Sequence, residues 1–190
     1  MCGRYFIRDH DQEILDIINK IKDKEGMKLS GEIYPGDIVP VISNNKDLNP
    51  TGFKMKWGYH IGNTTIINAK SETIYDKKMF IDGIKNRRCV IPASNYFEWE
   101  TIKKTKYLIK AKDRDVIYLA GIYRFEDNKP VFSIITRYRD ENISHIHDRM
   151  PLIINRNDIE RWLNKDSDIS DILNTIDSNL EYEEVVEAEL

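Results

Sequence analysis

Apolar residues recur along this chain in two rhythms. Between positions 12 and 21, Ile14, Leu15, Ile17, Ile18 and Ile21 fall at helical spacing. Asp9, with Gln12 three residues on, has the form of a capping box ahead of that stripe, and Gly26 is a stop signal behind it. The pattern therefore predicts a helix opening after Asp9, with one face packed on a core. The middle of the chain keeps to the shorter rhythm of strands. EIYPGDIVPVIS sets Pro35-Gly36 before a β-branched run. FKMKWGY, TTIIN, CVIP, NYFEWE, KYLIKA, VIYLAGIYRF and PVFSIIT read as further strands with turn-rich joins. TIYDKKMFIDGIKNR reads as a helix, as do DIERWLN and SDISDILNTI. EYEEVVEAEL fits either a last strand or an acidic tail.

Strands outnumber helices and do not alternate with them, which predicts an α+β fold rather than a doubly wound one. No repeat, low-complexity linker or break in composition divides the 190 residues, so a single domain over residues 1–190 is expected. With 41% hydrophobic and 32% charged residues, the chain has the make-up of a globular protein able to bury a core without staples. No apolar run approaches the length that crosses a bilayer, and MCGRYFIRDHDQE lacks the apolar centre of a signal peptide. No membrane partner and a cytoplasmic location are expected.

The net charge of -3 conceals an uneven distribution. Residues 166–190 hold nine of the 32 acidic residues and none of the 29 basic ones, so residues 1–165 have 29 basic against 23 acidic, or +6. A basic body is suited to attracting phosphates, and a solvated surface with an acidic end explains the same charges. The two cysteines, Cys2 and Cys89, do not make a disulfide framework. With four histidines and only His145-Ile146-His147 closely spaced, no metal site or cofactor is expected.

Four stretches hold residues suited to chemistry. Removal of a start methionine before a small residue would leave Cys2 with a free α-amine beside its thiol. Their ordinary pKa values, about 7.7–8.0 and about 8.5, leave both partly deprotonated near neutrality. A 1,2-aminothiol closes a five-membered thiazolidine with an aldehyde, which an internal cysteine cannot do. In IINAKSE, Asn68 stands at a strand end, and Lys70 and Glu72 share its face if the strand continues; an ordinary turn with Ser71 as a helix cap is the alternative. In NYFEWE, Tyr96, Glu98 and Glu100 share one face, and Phe97 and Trp99 the other. A desolvated Glu98 would have a raised pKa and suit acid–base work; a solvent-facing one would not. In SHIHDRMP, His147 can shuttle protons near neutral pH and Arg149 can fork onto a phosphate, unless both are simply loop residues.

The joint order is more specific than any one piece. CGRY, KWGY, NAKSE, RRCVIP with FEW, and HDRMP, spread from Cys2 to about Ile154, resemble the signature of the SOS-response-associated peptidase family, whose members are also described as abasic-site processing proteins. The resemblance implies curved antiparallel sheets forming a barrel-like core, flanking helices and a basic groove. It implies a monomer that shields abasic sites in single-stranded DNA as part of the DNA damage response. It assigns Cys2 as the nucleophile, Asn68 as the residue orienting it, Glu98 as the group helping to open the sugar ring and transfer protons, and His147 as the histidine near the sugar hydroxyl and the Schiff-base chemistry, also implicated in reversal of the crosslink. Arg4, Lys70 and Arg149 match phosphate-contacting positions, and Pro35 and Trp57 match positions where the groove meets bases. Three departures stand out: Lys70 replaces an arginine, Ser94-Asn95 replaces Asp-Gly, and the stretch from Trp57 to Asn68 lacks a second tryptophan. A lysine there gives a point charge without the bidentate fork. Two other readings fit some of these residues. One is an amidase or peptidase with an N-terminal nucleophile; the other is a non-catalytic module for single-stranded DNA.

Overall fold

The computed structural model describes residues 2–139, 146–177 and 179–186. Met1, His145, Glu187 and Glu189, which enter the readings above, lie outside the described residues. In chain order the elements are β1 (Arg4–Ile7), α1 (Gln12–Asn19), β2 (Gly31–Ile33), β3 (Ile38–Asn44), β4 (Pro50–Trp57), β5 (Tyr59–Ile61), β6 (Thr64–Ile66) and β7 (Asn68–Lys70). There follow α2 (Lys78–Asn86), β8 (Arg88–Ala93), β9 (Asn95–Trp99), β10 (Lys106–Ala111), β11 (Ile117–Glu126) and β12 (Lys129–Tyr138). The chain continues with β13 (Arg149–Pro151), β14 (Ile153–Ile154), α3 (Ile159–Leu163), α4 (Ser170–Leu173) and β15 (Leu180–Glu184). The fold is α+β, as the strand-rich pattern predicts. No helix among the described residues is long and apolar enough to cross a membrane.

Five strands close on themselves. β4 pairs with β3, β3 with β8, β8 with β11, β11 with β12, and β12 returns to β4. Four of these pairings are antiparallel, but the closing one is parallel, joining Val131 to Lys56 and Phe132 to Trp57. The expected barrel-like core of antiparallel sheets is present, with one parallel pairing at its seam. A ring with an odd number of strands cannot alternate direction all the way round. β8 shows the effect of closure on sequence: its residues are buried throughout, between the interior and the helices outside, so RCVIPA reads as a continuous run without alternation. Arg88 is the polar exception. Its guanidinium donates to the carbonyls of Ile84, Trp162 and Asn164, tying the ends of α2 and α3 to the barrel. Gly58 leaves the barrel at φ +112, and a Cβ there would stand 2.4 Å from the Thr65 methyl, so the WGY turn has room only for glycine.

Beside the barrel lies a five-stranded antiparallel sheet in the order β15-β10-β9-β1-β2. β1 is thus next to the centre, with Arg4 opposite Phe97. The acidic C-terminal segment is a strand through Glu184, not a tail; β15 covers the edge of β10, where Lys110 pairs with Glu181 at 3.5 Å and with Glu183 at 3.9 Å.

Local expectations fail at three places. Asp9 does not cap α1; the N-cap position is Asp11, and its carboxylate is turned to the buried Ser94 hydroxyl rather than to the helix. Burying a carboxylate is less costly when a hydroxyl donates to it. Gly26 does not end α1, which stops at Asn19 with Lys20 as its cap. Glu72 does not share the face of Asn68 and Lys70, because β7 ends at Lys70 and residues Ser71–Thr73 turn into a 3-10 helix with no side-chain cap from Ser71.

Candidate active site

The site gathers around the first residues of the chain. Cys2 lies two residues before the start of β1, separated from it by Gly3, and is fully buried. Its carbonyl accepts a hydrogen bond from the Asn68 side-chain amide at 2.9 Å. Asn68 opens β7, which runs parallel to β12 with Asn68 opposite Ile134 and Lys70 opposite Thr136. The same β12 pairs on its other edge with β13, placing Pro151 opposite Thr136 and Arg149 opposite Tyr138. One long strand therefore brings the NAKSE and HDRMP segments together, although 77 residues separate Glu72 from Arg149.

Glu98 comes from the neighbouring sheet. It follows Phe97, the partner of Arg4, and only 3% of it is exposed. Burial pushes its carboxyl up to about 7. Burial also pushes the Cys2 thiol well above its ordinary value, and the Glu98 charge adds to that rise. Asp148 in turn raises Glu98, so segments 2–4, 98 and 147–149 share one electrostatic environment.

His147 is partly buried, and that burial holds its pKa below the usual imidazole value. Its Nδ1 accepts from the Arg149 backbone N–H at 3.0 Å and lies 2.6 Å from Asp148 Oδ1. Arg149 is almost fully buried. It forks onto both oxygens of Glu72, each at 2.9 Å, and donates to the Thr136 carbonyl at 2.8 Å. The guanidinium expected to meet a phosphate is thus already bonded inside the protein.

The other expected contacts divide. Lys70 and Pro35 are exposed, Pro35 in the tight turn between β2 and β3. Arg4 lies 4.4 Å from the Tyr34 ring centre and 4.9 Å from that of Trp99, with Glu32 at 3.2 Å. Lys106 stands over Phe97 and Trp99 and donates to Glu32 at 2.7 Å. Trp57 is corrected: it is completely buried, packs parallel to Phe132 with centres 6.2 Å apart, and donates its indole N–H to the Ile67 carbonyl. A ring sealed in the barrel has no face for a nucleobase. Tyr34 and Trp99, which are accessible beside Arg4, were missing from the candidate set. The alternation of NYFEWE, with Phe97 and Trp99 sharing a face, was the available signal for Trp99.

Residues 1–188 match the family described as SOS response associated peptidase (SRAP). The chain belongs to that family. Among SRAP relatives, it is 31% identical to the abasic site processing protein YoaM of Bacillus subtilis (strain 168), over 93% of this chain and 85% of that one. It is 30% identical to the abasic site processing protein YedK of Escherichia coli (strain K12), over 87% and 81%. The SRAP chain also shares its fold with the crystal structure of a phage-related protein from Bordetella bronchiseptica, with a TM-score of 0.78 and 20% identity over 98% of this chain and 95% of the other.

Proposed function

We propose that this protein processes abasic sites in single-stranded DNA by capturing the ring-opened sugar on Cys2. The observation that carries the reading is the Asn68 amide holding the Cys2 backbone beside a buried Glu98. The names of the SRAP relatives supply the substrate class.

The chemistry requires Cys2 as the mature first residue, since an amide nitrogen cannot form the imine. Glu98, near half-protonated at neutral pH, gives a proton to the ring oxygen as the C1′–ring oxygen bond breaks and the C1′ hydroxyl loses its proton to water, so the sugar opens to its aldehyde and Glu98 is left as the carboxylate. The Cys2 amine attacks C1′ and water leaves, giving an imine. The thiol then adds its sulfur to the same carbon while its proton passes to the imine nitrogen, closing the thiazolidine. A buried thiol is neutral at pH 7, so it needs a proton acceptor at the moment of attack, and the Glu98 carboxylate is suited to that role. His147 serves the sugar hydroxyls and the imine from the other side. Holding the aldehyde beside the aminothiol replaces a bimolecular encounter by an internal one. An abasic site offers no base to read, so recognition falls to phosphates and to stacking of neighbouring bases. Arg4 and Lys70 would meet the backbone, and Pro35, Tyr34 and Trp99 the adjoining bases.

The test uses an oligonucleotide carrying one abasic site made by uracil excision. Wild-type protein is expected to give an adduct that survives a denaturing gel, and intact mass should show loss of Met1 and a gain equal to the DNA less one water. Cys2→Ala is expected to give none; equal durability with alanine at this position overturns the reading.

A further inference from the structure

The sequence singles out Glu72 in NAKSE, yet the reaction above gives it no task. Its carboxylate accepts three hydrogen bonds near the site. It takes both guanidinium nitrogens of Arg149 and the backbone N–H of Tyr138, at 2.9, 2.9 and 3.1 Å. A two-point fork fixes orientation as well as distance. Arg149 is also held by the Thr136 carbonyl and lies over the Tyr138 ring, 4.8 Å from its centre.

What Arg149 does next bears on the chemistry. Its backbone N–H points at His147 Nδ1 across 3.0 Å. A ring nitrogen that accepts a hydrogen bond carries no proton, so the neutral imidazole keeps its proton on Nε2. The same Nδ1 is 2.6 Å from Asp148 Oδ1, a contact that is favourable only when Nδ1 bears a proton. The two partners compete for one atom, and each demands the opposite ring state.

We infer that Glu72 is a positioning residue: by clamping Arg149 to β12 it holds the Arg149 N–H against His147 Nδ1 and so presents the Nε2–H edge of His147 to the reacting sugar. This inference rests on the reading above that His147 moves protons during capture. Glu72 touches no substrate. It acts through Arg149 on the neighbouring ring, and it links the strand that carries Asn68 to the segment that carries His147.

The experiment separates this inference from the reading beneath it. Protein labelled with 15N in histidine is examined by NMR at a pH high enough to keep His147 neutral, without DNA. Wild type is expected to show the Nε2–H tautomer at His147. Glu72→Gln, which weakens the fork, should show a mixture of tautomers, and Glu72→Asp should restore part of the wild-type pattern. Crosslinking to the abasic oligonucleotide is then timed for Glu72→Gln, His147→Ala and the double variant. Glu72→Gln should be slower by about 10-fold, less than the 10²–10⁴-fold that a positioned acid–base group contributes because the ring itself remains, and should add almost nothing on top of His147→Ala. An unchanged His147 tautomer in a folded Glu72→Gln protein overturns the inference, even if crosslinking proceeds as proposed. Additive losses in the double variant do so too. Absence of any crosslink in wild type would refute the capture chemistry and leave the tautomer measurement to decide the role of Glu72 in the free protein.

Discussion

The side-chain amide of Asn68 donates to the carbonyl of Cys2 at 2.9 Å, so a strand paired to the barrel holds the first residues of the chain. Asn68→Ala removes that donor. The expected cost in stability is about 0.5–1.5 kcal/mol, the usual net value of one hydrogen bond. Asn68→Asp is the sharper variant, because an ionised carboxylate accepts but does not donate. Both should slow adduct formation by about 10-fold or more, for loss of orientation, with final adduct chemistry unchanged. Time courses on denaturing gels read the rate, and intact mass reads the adduct.

Glu98 makes stability fall as pH rises. Its carboxyl titrates near 4.5 when unfolded and at about 7 when folded, so between those values the folded protein binds more protons. The contribution of the neutral form is fully present below about 4.5 and is lost on passing about 7. Glu98→Gln should therefore gain stability relative to wild type as pH rises, reaching on the order of 3 kcal/mol at pH 8, with little difference at pH 4. Urea denaturation at the two pH values measures this. The same variant should abolish the acid limb of the crosslinking rate near pH 7.

Glu32 engages Arg4, which the proposed function assigns to the DNA backbone. It accepts from Arg4, Lys106 and the Tyr34 hydroxyl, at 3.2, 2.7 and 2.9 Å, and these partners hold its carboxyl below the usual range despite the opposing effect of burial. Glu32→Gln should free positive charge for the DNA backbone and tighten binding of an intact single-stranded oligonucleotide by about threefold to tenfold at low salt, or about 0.7–1.4 kcal/mol. The advantage should shrink as salt is added. Fluorescence anisotropy across a salt series checks both.

The tryptophans should separate folding from binding. Trp57→Ala opens a void in the barrel and should cost about 3–5 kcal/mol of stability. Trp99→Ala, beside Arg4 and Lys106, should leave the melting transition nearly in place. Its loss should appear in affinity for single-stranded DNA, about 1–3 kcal/mol if one base stacks there. A Trp99→Ala protein with wild-type affinity would remove this residue from the DNA path.

Much of the fold was legible because its strands have strong local patterns. The runs that became β3, β8, β11 and β12 are β-branched and bounded by turns, and the stripe in α1 buries Ile14 and Ile18 as its spacing requires. Barrel closure was not legible from periodicity, because nothing local to Lys56 and Trp57 marks Val131 and Phe132 as their parallel partners. The desolvation of Glu98 was open in the alternation alone, since a half-buried strand offers either face to water; burial on both faces of β9 decides it. Trp57 misled because a motif position says which residue recurs and not whether its ring is covered. Arg149 misled differently: its capacity for a fork was evident, but Glu72 is presented to it by a turn that breaks the strand parity read at Asn68.

The parallel seam has a consequence for the order in which the working protein comes into being. Cys2 is made before any of its companions, whereas β7 and β13 find their places only on β12, itself completed at Tyr138. During synthesis the leading sulfur thus spends most of its early life without Asn68 tethered to it and without His147 nearby. Pairings so distant in sequence are slow to form. Reactivity toward the damaged sugar should therefore appear as a late event of maturation, coincident with the last strand docking and not with exposure of the terminus.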